Sequence, residues 1–133
     1  LRPITAGLAE SYEQNTANHV QISLSYWFAD YPSASTFLDD LFGCDNYHPN
    51  SAISPNFTGF CDQHVQSLFE RAKTQTDPAL AAPIWQDAGH EIMRQMPGAP
   101  MIQMKTIDFV SKRLGNYYST LLSHMLFSHV WVK

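Results

Sequence analysis

Residues 20–32 constrain the fold of this chain more than any other segment. Apolar side chains alternate there with polar ones, and the apolar ones are Val20, Ile22, Leu24 and Tyr26. This alternation is typical of a β-strand with one buried face, so we expect a strand over residues 20–26. Pro32 cannot continue regular backbone pairing and indicates a turn shortly after that strand.

A single acid lies among aromatic residues where the expected strand ends. The order is Trp27, Phe28, Ala29, Asp30 and Tyr31. Small ligands are usually held where a few polar groups converge with aromatic side chains. We therefore predict that Trp27, Phe28, Asp30 and Tyr31 contact a ligand. Because alternation puts Trp27 and Phe28 on opposite sides of the strand, at least one ring is expected to belong to the core.

The two cysteines, Cys44 and Cys61, flank a loop rich in asparagine and proline. A disulfide between them would stabilise the fold by about 3 kcal/mol, chiefly by restricting the unfolded chain. The alternative is a pair of free thiols. A disulfide would indicate an oxidising, extracytoplasmic compartment. No further ligands accompany the two cysteines, which argues against a zinc site.

Three helices are expected between the aromatic segment and residue 96. They cover residues 35–42, residues 62–75 with Asp62 as N-cap, and a third that follows the Asp77-Pro78 helix start. Pro83 is expected to kink the third helix or delay its start. The predicted buried residues are Phe37, Leu38, Leu41 and Phe42, then Val65, Leu68, Phe69 and Ala72, then Ala81, Trp85, Ala88, Ile92 and Met96.

Strands are expected after Pro100. The candidates are residues 101–104, 108–111 and 130–132, with a turn at Gly115 and Asn116. The predicted class is therefore α/β with mixed α+β character, in which several helices accompany a small mixed sheet.

The order of these motifs resembles one known family. The motifs are the strand with Trp27, Ala29, Asp30 and Tyr31, the helix after Pro32, Thr58 to Asp62, the helix from Asp62, the Asp77-Pro78 start with Trp85, and the two segments 97–100 and 108–117. Together they are similar to the C-terminal portion of the oligopeptide/dipeptide-type solute-binding proteins of ABC importers, solute-binding protein family 5. Two departures are the missing acid before Pro32 and the position of Pro83.

This resemblance implies a fragment of a two-lobed, periplasmic-binding-protein-like fold. Residues 1–98 would belong to the C-terminal ligand-binding lobe, and residues 99–133 would cross back towards an N-terminal lobe supplied by further polypeptide. The implied partners are a peptide or similar small solute and the importer permease. The implied location is the periplasm or a cell-surface lipoprotein, and no cofactor is implied.

The resemblance also implies a role for Asp30, with Trp27 beside it on the ligand side. The matching aspartate in peptide-binding members pairs with the α-ammonium of the peptide. A carboxylate 4 Å from an ammonium gains roughly 4 kcal/mol at an intermediate dielectric, and desolvation offsets part of this. The alternative is that Asp30 caps the turn at residues 31–34.

Other classes of function have weaker support in the sequence. There is no nucleophile elbow, no phosphate-binding glycine loop and no basic stripe for nucleic acid. The His90-Glu91 pair lacks the second histidine of a zinc-protease motif, because position 94 is arginine. We expect no enzyme, no metal and no cofactor. The rival hypothesis is a ligand-sensing, binding-protein-like domain of a regulatory or signalling protein.

The composition indicates that apolar faces of this chain meet other polypeptide. Charged residues make up 15% of its 133 residues and aromatic residues 13%, whereas soluble domains average roughly 25% charged. Without the implied N-terminal lobe, exposed apolar patches and strand edges would promote self-association. We therefore also expect a dimer or larger species in solution.

Overall fold

The computed structural model describes residues 22–49, 51, 54–105, 107–120 and 125–133. Within these ranges the chain forms helices α1 (Ser35–Phe42), α2 (Gln63–Lys73) and α3 (Pro78–Gln95), then strands β1 (Leu114–Gly115) and β2 (Trp131–Val132). Short 3-10 helices cover Cys44–Asn46 and Phe127–His129. Three helices with a small antiparallel sheet confirm the predicted α+β character.

The core lies between α2 and α3. All four apolar residues predicted on the buried face of α2 are buried, and Ala88 and Ile92 face them from α3. The ring of Phe69 is fully buried and lies 5.6 Å from that of Trp85, measured between centroids. Leu38 and Phe42 of α1 pack against this core from the side. The predicted amphipathic stripes of α2 and α3 therefore meet each other.

Both core helices begin where the sequence predicts. The Asp62 carboxylate accepts a hydrogen bond of 2.9 Å from the Val65 N–H, and the Asp77 carboxylate accepts one from Ala79. Such caps satisfy N–H groups that have no partner inside the helix. α3 starts at Pro78, so the delayed start expected from Pro83 is wrong. Pro83 lies in the N-terminal part of α3. There it removes only the backbone hydrogen bond to the Ala79 carbonyl, and the helix continues past it.

α1 has the predicted bounds but no side-chain cap at its N-terminus. Its N-cap residue is Ala34, which has no capping side chain. The Ser33 hydroxyl accepts a 3.3 Å hydrogen bond from the Ser35 N–H just inside the helix. Phe37 is 41% exposed and does not join the core, because the buried positions of this helix are the polar residues Thr36 and Asp39. The residues of α1 that pack against the core are therefore Leu38 and Phe42.

The sheet is smaller than the sequence predicts. Leu114 pairs with Val132 and Gly115 with Trp131, so the strand expected at residues 130–132 forms in part. Asn116 follows with φ 55°, a left-handed conformation that asparagine tolerates well and that suits the expected turn.

Three predicted strands are wrong within the described residues. Residues 22–26, 101–104 and 108–111 belong to no strand. Alternating or β-branched sequence makes a segment suitable for a sheet, but pairing also needs a neighbouring edge. No backbone hydrogen bond pairs these segments with another strand among the described residues. Residues 20 and 21 of the first prediction lie outside the described ranges. The division into residues 1–98 and 99–133 stays a prediction.

Candidate functional site

Asp30 lies on the surface at the start of the turn that leads into α1. Its backbone N–H donates to the hydroxyl of Thr36 over 3.2 Å, and that hydroxyl donates to Asp30 Oδ2 over 3.4 Å. Thr36 is completely buried, whereas Asp30 is exposed. An exposed carboxylate is thus hydrogen-bonded to a buried residue of α1. No further hydrogen bond to this carboxylate is present among the described residues.

Three aromatic rings near Asp30 are strongly exposed. Tyr26 and Phe28 are each 55% exposed and Tyr31 is 43% exposed. The rings of Tyr26 and Phe28 meet edge to face with centroids 5.7 Å apart. The predicted alternation is therefore present in this pair, since both rings lie on one side of the chain although no strand forms.

Trp27 differs from its neighbours. Its side chain is only partly exposed, and its indole Nε1 is enclosed without a hydrogen-bond partner among the described residues. The hydroxyl of Ser25 is enclosed in the same way. Of the four predicted ligand-binding residues, Asp30, Phe28 and Tyr31 are therefore accessible, and Trp27 is the one turned furthest towards the protein.

Negative charge accumulates on α1 and in the turn that precedes it. Partial burial, followed by the charges of Asp39 and Asp30, raises the pKa of the Asp40 carboxyl above its usual value. Asp39 is neutralised by Lys73, whose Nζ lies 2.8 Å from Asp39 Oδ2. This ion pair connects α1 to α2. Among the described residues neither Asp30 nor Asp40 forms an ion pair, although the charge of Lys73 partly offsets the repulsion at Asp40.

The loop between the cysteines is organised by the side chain of one of its asparagines. Asn56 is fully buried, and its amide N–H groups donate to the carbonyls of Gly43 and Phe60 over 2.9 and 2.7 Å. Its carbonyl oxygen accepts from Thr58 and Gly59. The sequence indicates this role because Asn56 precedes a Thr-Gly pair by two residues. In turns, asparagine side chains often form the hydrogen bonds that backbone groups would otherwise form.

The disulfide predicted between Cys44 and Cys61 is confirmed. The side-chain amide of Gln63, in the first turn of α2, points at both sulfur atoms, 3.8 Å from Cys44 and 3.7 Å from Cys61. The backbone N–H of Cys44 donates to the side chain of Gln66, so the bridge is fixed to α2 from both ends. A disulfide is compatible with an extracytoplasmic location. In the described ranges, none of the helices has the length and apolar character needed to span a membrane.

The described residues contain no group of three or more histidine, cysteine, aspartate or glutamate side chains placed to hold a metal ion. Glu91, the acid of the incomplete zinc-protease motif, forms an ion pair with Arg94 on the next turn. The hydrogen bonds from Arg94 and then Gln95 lower the pKa of Glu91 to about 2. The arginine that breaks the motif therefore has a structural partner.

Comparisons of the chain with models of protein families, with curated proteins and with solved structures find no match.

Proposed function

We propose that this chain is the C-terminal portion of an extracytoplasmic solute-binding protein that delivers a peptide or similar small solute to an ABC importer. In this proposal the chain is not an enzyme and needs no cofactor. A cleft between two lobes would capture the solute, and hinge closure would retain it. The remaining lobe and the importer permease would be the protein partners, and the protein would act in the periplasm or as a cell-surface lipoprotein.

One observation carries the proposal. An exposed carboxylate, that of Asp30, is hydrogen-bonded to the fully buried Thr36 and lies close in sequence to exposed aromatic residues. A group that is both positioned and accessible loses little freedom when a ligand binds. This arrangement suits a ligand that carries an ammonium group next to an apolar side chain.

The surrounding charges support the same ligand class. The pKa of Asp40 is raised chiefly by burial, and electrostatic repulsion from Asp39 and Asp30 adds to this shift. A ligand ammonium would relieve that repulsion as well as pair with Asp30. The confirmed disulfide supports the location, because such bonds persist in oxidising compartments.

The proposal is tested by comparing a dipeptide with its amine-blocked form. Alanyl-phenylalanine and N-acetyl-alanyl-phenylalanine are titrated calorimetrically into the protein and into its Asp30→Asn variant. The amide oxygen of asparagine can still accept from Thr36, so the turn is retained. Loss of a charge-assisted bond should weaken binding of the free dipeptide about 10-fold to 100-fold. The acetylated dipeptide should bind equally to both proteins.

A matched control is Asp45→Asn, which removes the same charge from an exposed residue of the Cys44–Asn46 helix. This variant should bind both dipeptides as the unmodified protein does. Equal losses for the free and the acetylated dipeptide in Asp30→Asn would contradict the amine-binding role. In that case the bonds with Thr36 would be the whole function of Asp30.

A further inference from the structure

The segment after α3 presents an unusually apolar surface. We call residues 101–105 and 107–110 the exposed segment. Its large apolar side chains are solvent-exposed: Met101 by 77%, Ile102 by 83%, Met104 by 70%, Ile107 by 79%, Phe109 by 99% and Val110 by 39%. Because adjacent residues are exposed alike, neither side of the segment is covered within the described part of the chain. Contiguous apolar surface of this kind usually marks an interaction site.

The backbone of the exposed segment is also unpaired. No backbone hydrogen bond connects it to any other described residue, and the nearest one along the chain joins Leu114 to Ser111. Unpaired donors and acceptors together with β-branched and aromatic side chains suit pairing with a further strand. The surface therefore fits a polypeptide partner that supplies both backbone bonds and apolar contacts.

The charges of the exposed segment are complementary to those of a second copy of the same segment. In an antiparallel pair the numbers of opposite residues have a constant sum. If two copies of this chain pair so that Lys105 faces Asp108, the two-fold symmetry repeats that ion pair, with Asp108 facing Lys105. The same register sets Met104 against Phe109 and Gln103 against Val110, again twice each. Methionine–aromatic contacts are favourable, and opposite charges across strands stabilise pairing.

We propose that, in this chain without the N-terminal lobe, the exposed segment is a homodimerisation site, in which two copies of the chain pair antiparallel with Lys105 of each opposite Asp108 of the other. Both side chains are accessible, since both residues are exposed. Asp108 also accepts a 2.6 Å hydrogen bond from the Tyr117 hydroxyl, which restrains the carboxylate without burying it. A closed two-fold pair occupies the paired edge of the exposed segment, so that edge cannot bind a third chain.

Charge exchange tests this proposal by sedimentation velocity over a range of protein concentrations. Lys105→Asp and Asp108→Lys each place like charges opposite one another twice in the dimer. Each should raise the dimer dissociation constant about tenfold, and the double variant should restore it. Arg71→Asp makes the same charge change at an exposed position of α2, outside the exposed segment, and should leave the dissociation constant unchanged. Tyr117→Phe controls for the hydrogen bond to Asp108.

A second measurement needs no variant. A mixture of 15N-labelled and unlabelled protein is treated with a carbodiimide, which joins a lysine amine to a carboxylate in direct contact. Mass spectrometry should find Lys105–Asp108 peptides that link one labelled and one unlabelled chain. A monomer at all concentrations, a dimer indifferent to the single variants, failed restoration in the double variant, or cross-links only within one chain would each overturn the proposal. The last outcome would leave the surface to a different polypeptide.

Discussion

The indole ring of Trp131 lies where a β-carbon on Gly115 would stand. The two residues are opposite each other in the small sheet, and the absence of a side chain at Gly115 allows the ring to cover the backbone. Lys133 adds to this contact, with its Nζ 5.8 Å from the centre of the same ring. A large side chain and a glycine thus form one unit across β1 and β2.

Gly115→Ala should therefore disrupt the β1–β2 pair. The added methyl group would overlap the Trp131 ring, and because that ring is 53% exposed it can move aside at a cost of about 1 kcal/mol. The free energy of unfolding from urea titration and the NMR signal of the Trp131 indole N–H should both change. Gly89→Ala is the control: the nearest atom to its new methyl would be Leu38 Cδ1 at 3.8 Å. Since alanine favours helix, that variant should gain about 0.5–1 kcal/mol.

Two phenylalanines should differ sharply in their contribution to stability. Phe69 is completely buried against Trp85, whereas Phe37 is 41% exposed on α1. Phe69→Ala should lower the free energy of unfolding by about 3–5 kcal/mol, because it removes apolar contacts and leaves a cavity. Phe37→Ala should cost less than about 1 kcal/mol. Similar losses in urea unfolding would contradict the location of the core between α2 and α3.

The Asp62 cap should make stability depend on pH in the acid range. The hydrogen bond from Val65, and then that from Gln95, lowers the pKa of this carboxyl below 3.8. A carboxyl whose pKa is lower in the folded protein stabilises it above the unfolded value, and the effect disappears as pH falls through the folded value. Asp62→Ala should lose about 1 kcal/mol at pH 7.

Asp62→Asn separates the charge of this cap from its hydrogen bond. The variant keeps an oxygen for the Val65 N–H but cannot titrate. Its stability deficit relative to the unmodified protein should shrink as pH falls below 3.8. A deficit that stays constant from pH 7 to pH 2 in thermal unfolding would show that the carboxylate charge does not contribute.

Removal of the disulfide should destabilise the chain by about 3 kcal/mol, since the bridge closes a loop between positions 17 apart. Urea unfolding of a variant with both Cys44→Ser and Cys61→Ser measures this loss. Reductant should lower the stability of the unmodified protein to that of the variant and should not affect the variant itself. If reductant changed both proteins equally, the effect would not come from this bond.

The helical part of the fold was predictable because its signals are local. Asp62 and Asp77 cap their helices, and the spacing of Val65, Leu68 and Phe69 defines a face, all within one or two helical turns. The disulfide was predictable as one of two alternatives, because the sequence contains a single possible pair.

The strands and the loop were less predictable because they depend on distant partners. Residues 22–26 have a strand-like pattern, but the pattern does not supply a neighbouring edge. The role of Asn56 depends on the carbonyl of Gly43, which lies 13 positions away in the sequence. At the candidate site, the exposure of Asp30 follows the expectation, whereas its bond to Thr36 could not be deduced from residue types alone.

The bond between Cys44 and Cys61 has a consequence for proteolysis. A protease that cuts the backbone anywhere between these two positions, for example after Phe57, opens the loop without releasing either fragment. The nicked protein would migrate as one band on a gel without thiol and as two bands with it. The disulfide would still connect α1 to the two core helices after such a cut. Cleavage in the loop would therefore not separate these helices as long as the surroundings remain oxidising.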